Sequence, residues 1–223
     1  MTLKIYFASG SPAAWRVMLA LVHKGVEFES QEIHFSKGDS RTPEYLALNP
    51  HGQVPVLQDG DLTFYESGAM LSYLERKYPG KPLFGETLEE NALIMQRMLE
   101  VENHVLTMAR PILRPLFSGA YHENKTVVDE GIAKMPEIFN MLDGWLGDKK
   151  YLTGSKISAA DVTLYPGVAL VQRVFSGPAA AGIDMSNIVP LSSKAPRVAA
   201  WMGRMEAMPG FDSVYPTHWK QAA

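Results

Sequence analysis

The chain has 223 residues, a formal net charge of −3, 46% hydrophobic residues and 20% charged residues. This length is enough for one large domain or two small ones with a substantial core, and the charge balance provides no basic surface for nucleic acid. No apolar run approaches the ~20 residues that a membrane-spanning helix needs, and the first residues lack the pattern of a secretory signal. We therefore expect a cytoplasmic protein whose partners are neither nucleic acid nor a membrane.

The chain contains no cysteine. This excludes disulfide frameworks, thiolate metal sites and every mechanism in which the protein supplies its own nucleophilic thiol. The six histidines are spread over the chain without an HxxxH or HxH pair, so we expect no metal site.

The first 80 residues have the pattern of a small α/β layer of about four strands. A strand is predicted at residues 3–7, and Ser11 before Pro12 is typical of an N-cap followed by the first residue of a helix. Gly25 is a helix stop signal. The other predicted elements are a strand over residues 26–35, a short helix over 43–49, a hairpin around Asp59-Gly60-Asp61 and a helix over 67–77.

After residue 82 the pattern becomes helical. Apolar residues spaced by four and three predict one face of a long helix, and they are Ile94, Met98, Val101, Val105, Met108 and Ile112. Pro111 and Pro115 should kink or close this helix. Further helices are predicted over residues 127–146, from Ser158 onward and over 194–208. We expect an α/β domain at 1–80, a linker at 81–88 and an all-helical domain at 89–223.

Four segments occur in order along the chain, and they are Tyr6-Phe-Ala-Ser-Gly-Ser11-Pro12, Ala47-Leu-Asn49-Pro50-His-Gly52-Gln53-Val54-Pro55-Val56-Leu57, Tyr65-Glu66-Ser67-Gly-Ala and Ile157-Ser158-Ala-Ala-Asp161. Together they resemble the cytosolic glutathione S-transferases, and the resemblance covers essentially the whole chain. Residues 38–44 and 99–102 are most similar to the serine-type phi class or a bacterial relative of it. The resemblance implies a thioredoxin-like glutathione-binding domain followed by a helical-bundle domain with a hydrophobic substrate site.

The resemblance also implies an enzyme that adds the glutathione thiolate to electrophilic hydrophobic compounds, with glutathione as co-substrate and no metal. A free thiol has a pKa around 8.5, so the enzyme must stabilise negative charge on sulfur. Ser11, at a helix N-terminus, would donate a hydrogen bond to it. The residues alone indicate only an N-cap at Ser11, and Tyr6 and Ser9 remain alternative donors.

The glutathione-binding residues implied by the resemblance are Ser11, Arg41, Gln53, Val54, Pro55, Glu66 and Ser67. The backbone before a cis proline, at Val54, would pair with the cysteinyl part of glutathione, and Gln53 would add a polar contact. Glu66 and Ser67 would hold the γ-glutamyl end. Arg41 would bind the glycyl carboxylate. Without the resemblance, Pro55 fits a trans proline at the start of a strand. Glu66 and Ser67 fit an ordinary helix start with an acidic first turn, and Arg41 fits a solvated charge in a loop.

The glycyl end departs from the family pattern, because Ser40 stands where the phi branch often has histidine. The hydrophobic substrate would lie near Pro12 and the helix end that carries Ile112, Leu113, Leu116 and Phe117, although helical-domain core explains these residues equally well. Asp161 is expected to cap a buried helix. The family pattern implies a homodimer in which His51 occupies the position of an inserted aromatic residue.

Two other functions remain open from the sequence. One is a glutathione-dependent isomerase of the same fold, from which the Ser9-Gly10-Ser11-Pro12 loop departs. The other is a non-enzymatic glutathione-binding or ligand-binding scaffold protein.

Overall fold

The computed structural model describes residues 2–220. It divides into two compact units, one made of residues 2–84 together with residues 207–220 and the other of Gly85–Glu206. The first boundary lies within the expected linker at 81–88. Residues 207–220 were expected in the helical domain, but they belong to the unit that contains the sheet.

The first unit contains a four-stranded sheet in the order β2-β1-β3-β4. The strands are β1 (Leu3–Phe7), β2 (Phe28–Glu32), β3 (Val56–Asp59) and β4 (Leu62–Tyr65). Strand β1 is parallel to β2 and antiparallel to β3, and β3 is antiparallel to β4. The helices are α1 (Pro12–Lys24), α2 (Pro43–Leu48) and α3 (Ser67–Lys77). The thioredoxin-like order of elements expected for residues 1–80 is confirmed.

Helix α1 begins and ends where its capping residues predict. The Ser11 hydroxyl accepts a hydrogen bond from the Ala14 amide, Pro12 occupies the first turn, and Gly25 ends the helix at a φ of 70°. Such a left-handed angle is accessible to glycine without steric cost. The helix buries an unbroken run from Ala14 to Leu21, which makes it a central element of the first unit.

The chain end returns to helix α1. The ring of Trp15 lies 6.0, 5.6 and 5.4 Å, between centroids, from Phe211, Tyr215 and Trp219. These spacings are favourable for aromatic pairs. The short helix that carries Trp219 is Thr217–Lys220, and the aromatic cluster holds it against the α/β unit.

The second unit is helical. Its helices are α4 (Leu88–Glu100), α5 (Thr107–Ser118), α6 (Lys125–Leu146), α7 (Ala159–Phe175), α8 (Leu191–Lys194) and α9 (Pro196–Glu206), and the Thr217–Lys220 helix of the first unit is α10. Tyr165 and Trp201 are among its largest fully buried side chains. Within residues 2–220, no helix is both long enough and apolar enough to cross a membrane.

The long helix predicted from residue 94 onward differs in one respect. A π-helical segment, Val101–Leu106, separates α4 from α5. Met108, which the spacing placed on that face, is 42% exposed, and Ala109 is buried instead. The expectation for Met108 was therefore wrong. The rest of the predicted face is kept, because Val105 and Ile112, on either side of the difference, are both buried.

The prolines of this helix do not close it, which was one of the two expected effects. Pro111 and Pro115 lie inside α5, which continues to Ser118 and ends at Gly119 with a φ of 71°. Neither proline closes the helix. The left-handed glycine provides the stop, as at the end of α1.

Candidate functional site

Four chain segments meet at one edge of the sheet. Tyr6 on β1 pairs with Val56 on β3, and Val56 pairs with Tyr65 on β4. The segments after β1, before β3 and after β4 are therefore neighbours. Strand β2 ends at the same edge, because it is parallel to β1, and the Ile33 amide donates to the Phe7 carbonyl over 2.7 Å.

This edge gathers most of the glutathione-binding residues expected from the sequence. Ser11 follows β1, residues 53–55 precede β3, and Glu66 and Ser67 follow β4. Arg41 lies in a 3₁₀ turn between β2 and α2. The register of three neighbouring strands thus unites residues that are up to 56 positions apart in the chain.

Ser11 is the N-cap of α1. Its Oγ accepts a hydrogen bond from the Ala14 amide over a long 3.4 Å, and its side chain is half-buried. A hydroxyl that accepts with its oxygen still has its hydrogen to donate. The N-terminus of α1 contributes partial positive charge at the same point. This combination suits stabilisation of an anion.

The two alternative hydroxyls have protein partners. The Tyr6 hydroxyl donates to Oε1 of Gln58 over 2.8 Å, and its ring packs edge-on against Tyr45. The Ser9 hydroxyl lies 2.7 Å from Nδ1 of His218. The Tyr6 hydroxyl would have to leave Gln58 in order to donate its hydrogen elsewhere, and the same holds for Ser9 in the tautomer whose Nδ1 accepts from it.

The segment before β3 contains a cis peptide bond between Val54 and Pro55. The carbonyl of Gln53 accepts two hydrogen bonds of 2.8 Å, from the Tyr45 hydroxyl and from Nδ2 of Asn49. Burial, followed by the nearby Tyr6, raises the pKa of Tyr45 to about 12. Tyr45 therefore stays protonated at neutral pH and remains a donor to this segment.

Arg41 is brought against the same segment through a glycine. Gly52 has a φ of 61°, and a Cβ atom there would lie 2.7 Å from the Ser40 carbonyl oxygen and 2.9 Å from Nη1 of Arg41. Both distances are shorter than a real Cβ contact, and the left-handed angle also favours glycine. Gly52 is thus the residue that lets the Arg41 turn approach the segment before β3.

Glu66 has an unusual backbone. Its φ of 75° is one of two positive values among non-glycine residues in the described chain, 2–220. Such a conformation costs of order 1–3 kcal/mol and persists where the surroundings enforce it, often at a functional site. Ser67 directly follows as the first residue of α3 and is buried. The strained residue lies next to the N-terminus of a helix.

The residues expected to contact the hydrophobic substrate divide into two groups. Ile112 and Leu116 are 1% and 4% exposed, which favours the alternative that they belong to the core of the helical unit. Leu113 is half-buried and Phe117 is 59% exposed. Pro12 lies in the first unit at the start of α1.

His218 and Trp219 also lie at this edge, and the sequence did not predict them there. A Cβ atom on Gly10, which has a φ of 79°, would lie 3.1 Å from Cε1 of His218 and 3.3 Å from Nε1 of Trp219. The C-terminal helix α10 therefore packs directly on the loop that presents Ser11. The sequence contains no local pattern that pairs residue 10 with residue 218.

Comparisons with known proteins agree with this architecture. The family model for the glutathione S-transferase N-terminal domain matches residues 1–76, and that for the glutathione S-transferase C-terminal domain matches residues 67–209. The chain belongs to the glutathione S-transferase family.

Similar proteins indicate the class within the glutathione S-transferase family to which the chain is most similar. A probable glutathione S-transferase of Oryza sativa subsp. japonica, GSTF2, is 35% identical over 95% of both chains. Glutathione S-transferase 4 of Zea mays is 33% identical over 95% of this chain and 91% of its own. The crystal structure of glutathione transferase F7 from Populus trichocarpa has a TM-score of 0.77 at 28% identity, covering 96% of this chain and 97% of that one. The phi-class resemblance is confirmed.

Proposed function

We propose that the protein binds glutathione at this edge of the sheet and conjugates its thiolate to electrophilic, largely apolar compounds. The observation that carries the proposal is the convergence of Ser11, the cis Val54-Pro55 bond and Glu66 with Ser67 at one edge, in a chain of this family.

The tripeptide is held at three points. The backbone of Val54 pairs with the cysteinyl residue as an added strand, and Gln53 contacts the peptide beside it. The Glu66 carboxylate pairs with the γ-glutamyl ammonium, while Ser67 and the N-terminus of α3 receive the γ-glutamyl carboxylate. Arg41 binds the glycyl carboxylate.

Thiol activation follows from the position of Ser11. Its hydroxyl donates to the sulfur, and this donation is stronger to a thiolate than to a thiol. A hydrogen bond to a charged group contributes about 1.5–3 kcal/mol, and the end of α1 adds about 0.3–1 kcal/mol. Together they lower the thiol pKa from around 8.5 to about 6–7. The proton leaves to solvent, and the thiolate forms a C–S bond at the electrophilic carbon. In a substitution the leaving group departs with the electron pair of the bond that breaks. In an addition the π bond of the activated double bond breaks, and the resulting carbanion takes up a proton from solvent.

The test compares Ser11→Ala with Tyr6→Phe. Titration of the thiolate absorbance of bound glutathione gives its pKa, and a conjugation assay gives kcat. Ser11→Ala should raise the bound-thiol pKa and lower kcat about 10–100-fold, while Tyr6→Phe keeps both near the wild-type values. An unchanged thiol pKa in Ser11→Ala would overturn the assignment. Absence of binding heat with glutathione would instead favour a scaffold for another ligand. Binding without conjugation would favour an isomerase or a glutathione-binding scaffold.

The apolar electrophile is assigned to Leu113 and Phe117 of the helical unit. The support is that Leu113 and Phe117 are apolar and are not used by the core of the helical unit. Burial of such a side chain against an apolar substrate is favourable.

The protein is further proposed to act as a cytoplasmic homodimer, as the family pattern implies. The exposed His51 ring lies 5.5 Å from Tyr65, edge to face. His51 presents a polar ring where the pattern has an aromatic insertion. Sedimentation equilibrium should therefore show tighter association for His51→Phe than for the wild type, and weaker association would contradict this role.

A further inference from the structure

A histidine from the end of the chain contacts the loop of the proposed donor. The Ser9 hydroxyl lies 2.7 Å from Nδ1 of His218, although the two residues are 209 positions apart. Ser9 is two residues before Ser11 in the same loop. This distance is a normal hydrogen bond between a hydroxyl and an imidazole nitrogen.

The helix that carries His218 is anchored firmly. Trp219 is only 5% exposed, and its ring lies 5.4 Å from Trp15 and 5.9 Å from Tyr215. Lys220 donates from Nζ to the Asp212 carbonyl over 2.9 Å. Burial of an aromatic residue in such a cluster stabilises its position. The anchoring of α10 therefore places the imidazole next to Ser9.

The loop itself is closed by its own backbone and by α10. The Ser11 amide donates to the Ala8 carbonyl over 3.0 Å, which forms a turn. Gly10 takes a left-handed angle inside that turn, and His218 and Trp219 occupy the space beside it. The turn that presents the Ser11 hydroxyl is thus packed on one side by α10 and hydrogen-bonded to it through Ser9.

We propose that His218 is a positioning residue for thiol activation, which holds the Ser9 hydroxyl through Nδ1 and so fixes the turn that aims Ser11 at the glutathione sulfur. The inference rests on the proposed function, because it takes Ser11 as the donor. Ser9 then has a separate task from Ser11. One hydroxyl is engaged by the imidazole, and the other remains for the sulfur.

Matched substitutions at His218 test which ring nitrogen matters. Asparagine places a polar atom near the position of Nδ1, whereas glutamine places one near the position of Nε2. We expect His218→Ala and His218→Gln to raise the thiol pKa of bound glutathione and to lower kcat about tenfold, as loss of alignment does. His218→Asn should retain most of both values. The affinity for glutathione should change less than kcat in all three variants.

Ser9→Ala provides the second half of the test. If His218 acts through Ser9, the double variant Ser9→Ala/His218→Ala should lose no more than either single variant. Additive losses would overturn the inference, as would an inactive His218→Asn or an unchanged thiol pKa in His218→Gln. His122→Ala, in the helical unit, is the histidine control and should behave as the wild type.

Different results would overturn the proposed function and the role of His218. A wild-type protein that neither binds glutathione nor conjugates it overturns the proposed function. A wild type that does both, with a His218→Gln variant of normal kcat and thiol pKa, overturns the role of His218 alone. Thermal unfolding of each variant establishes that the folded protein is being measured.

Discussion

The indole Nε1 of Trp201 donates a hydrogen bond to Oδ1 of Asp161 over 2.9 Å, inside the core of the helical unit. Oδ1 also accepts from the Leu152 amide, and Oδ2 accepts from the amide and hydroxyl of Ser158. Burial raises the pKa of Asp161, while its four hydrogen bonds oppose that rise. One carboxylate therefore connects α9, the start of α7 and the segment before α7.

Replacement of Asp161 should destabilise the protein by more than the loss of a helix cap. The cap alone is worth about 0.5–2 kcal/mol, but Asp161→Ala also leaves buried donors without an acceptor, each costing about 1–3 kcal/mol. We expect the free energy of unfolding to fall by about 3–5 kcal/mol. Urea titration measures it, with Asp161→Asn as the control of equal volume. A loss below about 1 kcal/mol would mean that the donors find other partners.

The free energy of unfolding should also depend on the ion pair between Lys24 and Glu75. The Lys24 side chain is fully buried, pairs with Glu75 at 2.7 Å and donates to the Tyr78 carbonyl over 2.9 Å. It thereby connects the end of α1 to α3. Lys24→Met leaves Glu75 with the Leu83 and Phe84 amides but without its cation, and it should lower the free energy of unfolding by about 2–4 kcal/mol.

The control for this pair is the double variant Lys24→Met/Glu75→Leu. It removes both charges, so it should be less destabilised than the sum of the single variants. Simple additivity in urea titrations would show that the two side chains are not coupled.

His23 should make stability depend on pH. Burial, followed by the charges of Lys81 and Lys24, lowers its pKa from 6.5 to about 4. The folded protein keeps the ring neutral while the unfolded chain takes up a proton, so stability falls as pH drops from about 6.5 to about 4 and has no contribution from this group above that window. Because the ring is partly exposed, we expect a loss of about 1–2 kcal/mol.

The measurement is urea unfolding at several pH values for the wild type and His23→Gln. The variant should lose less stability between pH 6.5 and pH 4, because the group that titrates is gone. Parallel pH profiles for the two proteins would argue against a lowered pKa at His23.

Local chemistry explains what could be predicted from the sequence. Ser11, Pro12 and Gly25 define both ends of α1, since capping and left-handed glycine depend only on neighbouring residues. The same holds for the hairpin turn at Gly60, where the strands on either side are adjacent in the chain. The strand register then brings the candidate site together.

The parts that could not be predicted depend on contacts that sequence spacing does not encode. Met108 and Ala109 follow Val105 by three and four residues, so both fit the helical spacing and the spacing alone does not decide which of them is buried. The return of α10 to the first unit depends on Trp15 and Trp219, which are 204 positions apart. The contact of His218 with Ser9 follows from that packing, so no local pattern could indicate it.

Two apolar residues of α5 should separate stability from substrate binding. Ile112 is 1% exposed, and a Cβ atom on Gly131 would lie 2.5 Å from its Cγ1, so it is tightly packed between α5 and α6. Ile112→Ala should therefore lower the free energy of unfolding by about 2–5 kcal/mol. Phe117, at 59% exposure, should change it by less than about 0.5 kcal/mol when replaced by alanine.

For KM we expect the opposite order, with an effect of Phe117→Ala and none of Ile112→Ala. If Phe117 contacts the electrophile, Phe117→Ala removes apolar contact worth about 1–2 kcal/mol and should raise KM for an apolar electrophile about 5–30-fold. KM for glutathione should stay unchanged, because Phe117 is not assigned to the tripeptide. Ile112→Ala, assayed where it is folded, should keep KM for both substrates. Equal KM values for the electrophile in wild type and Phe117→Ala would remove Phe117 from the substrate site.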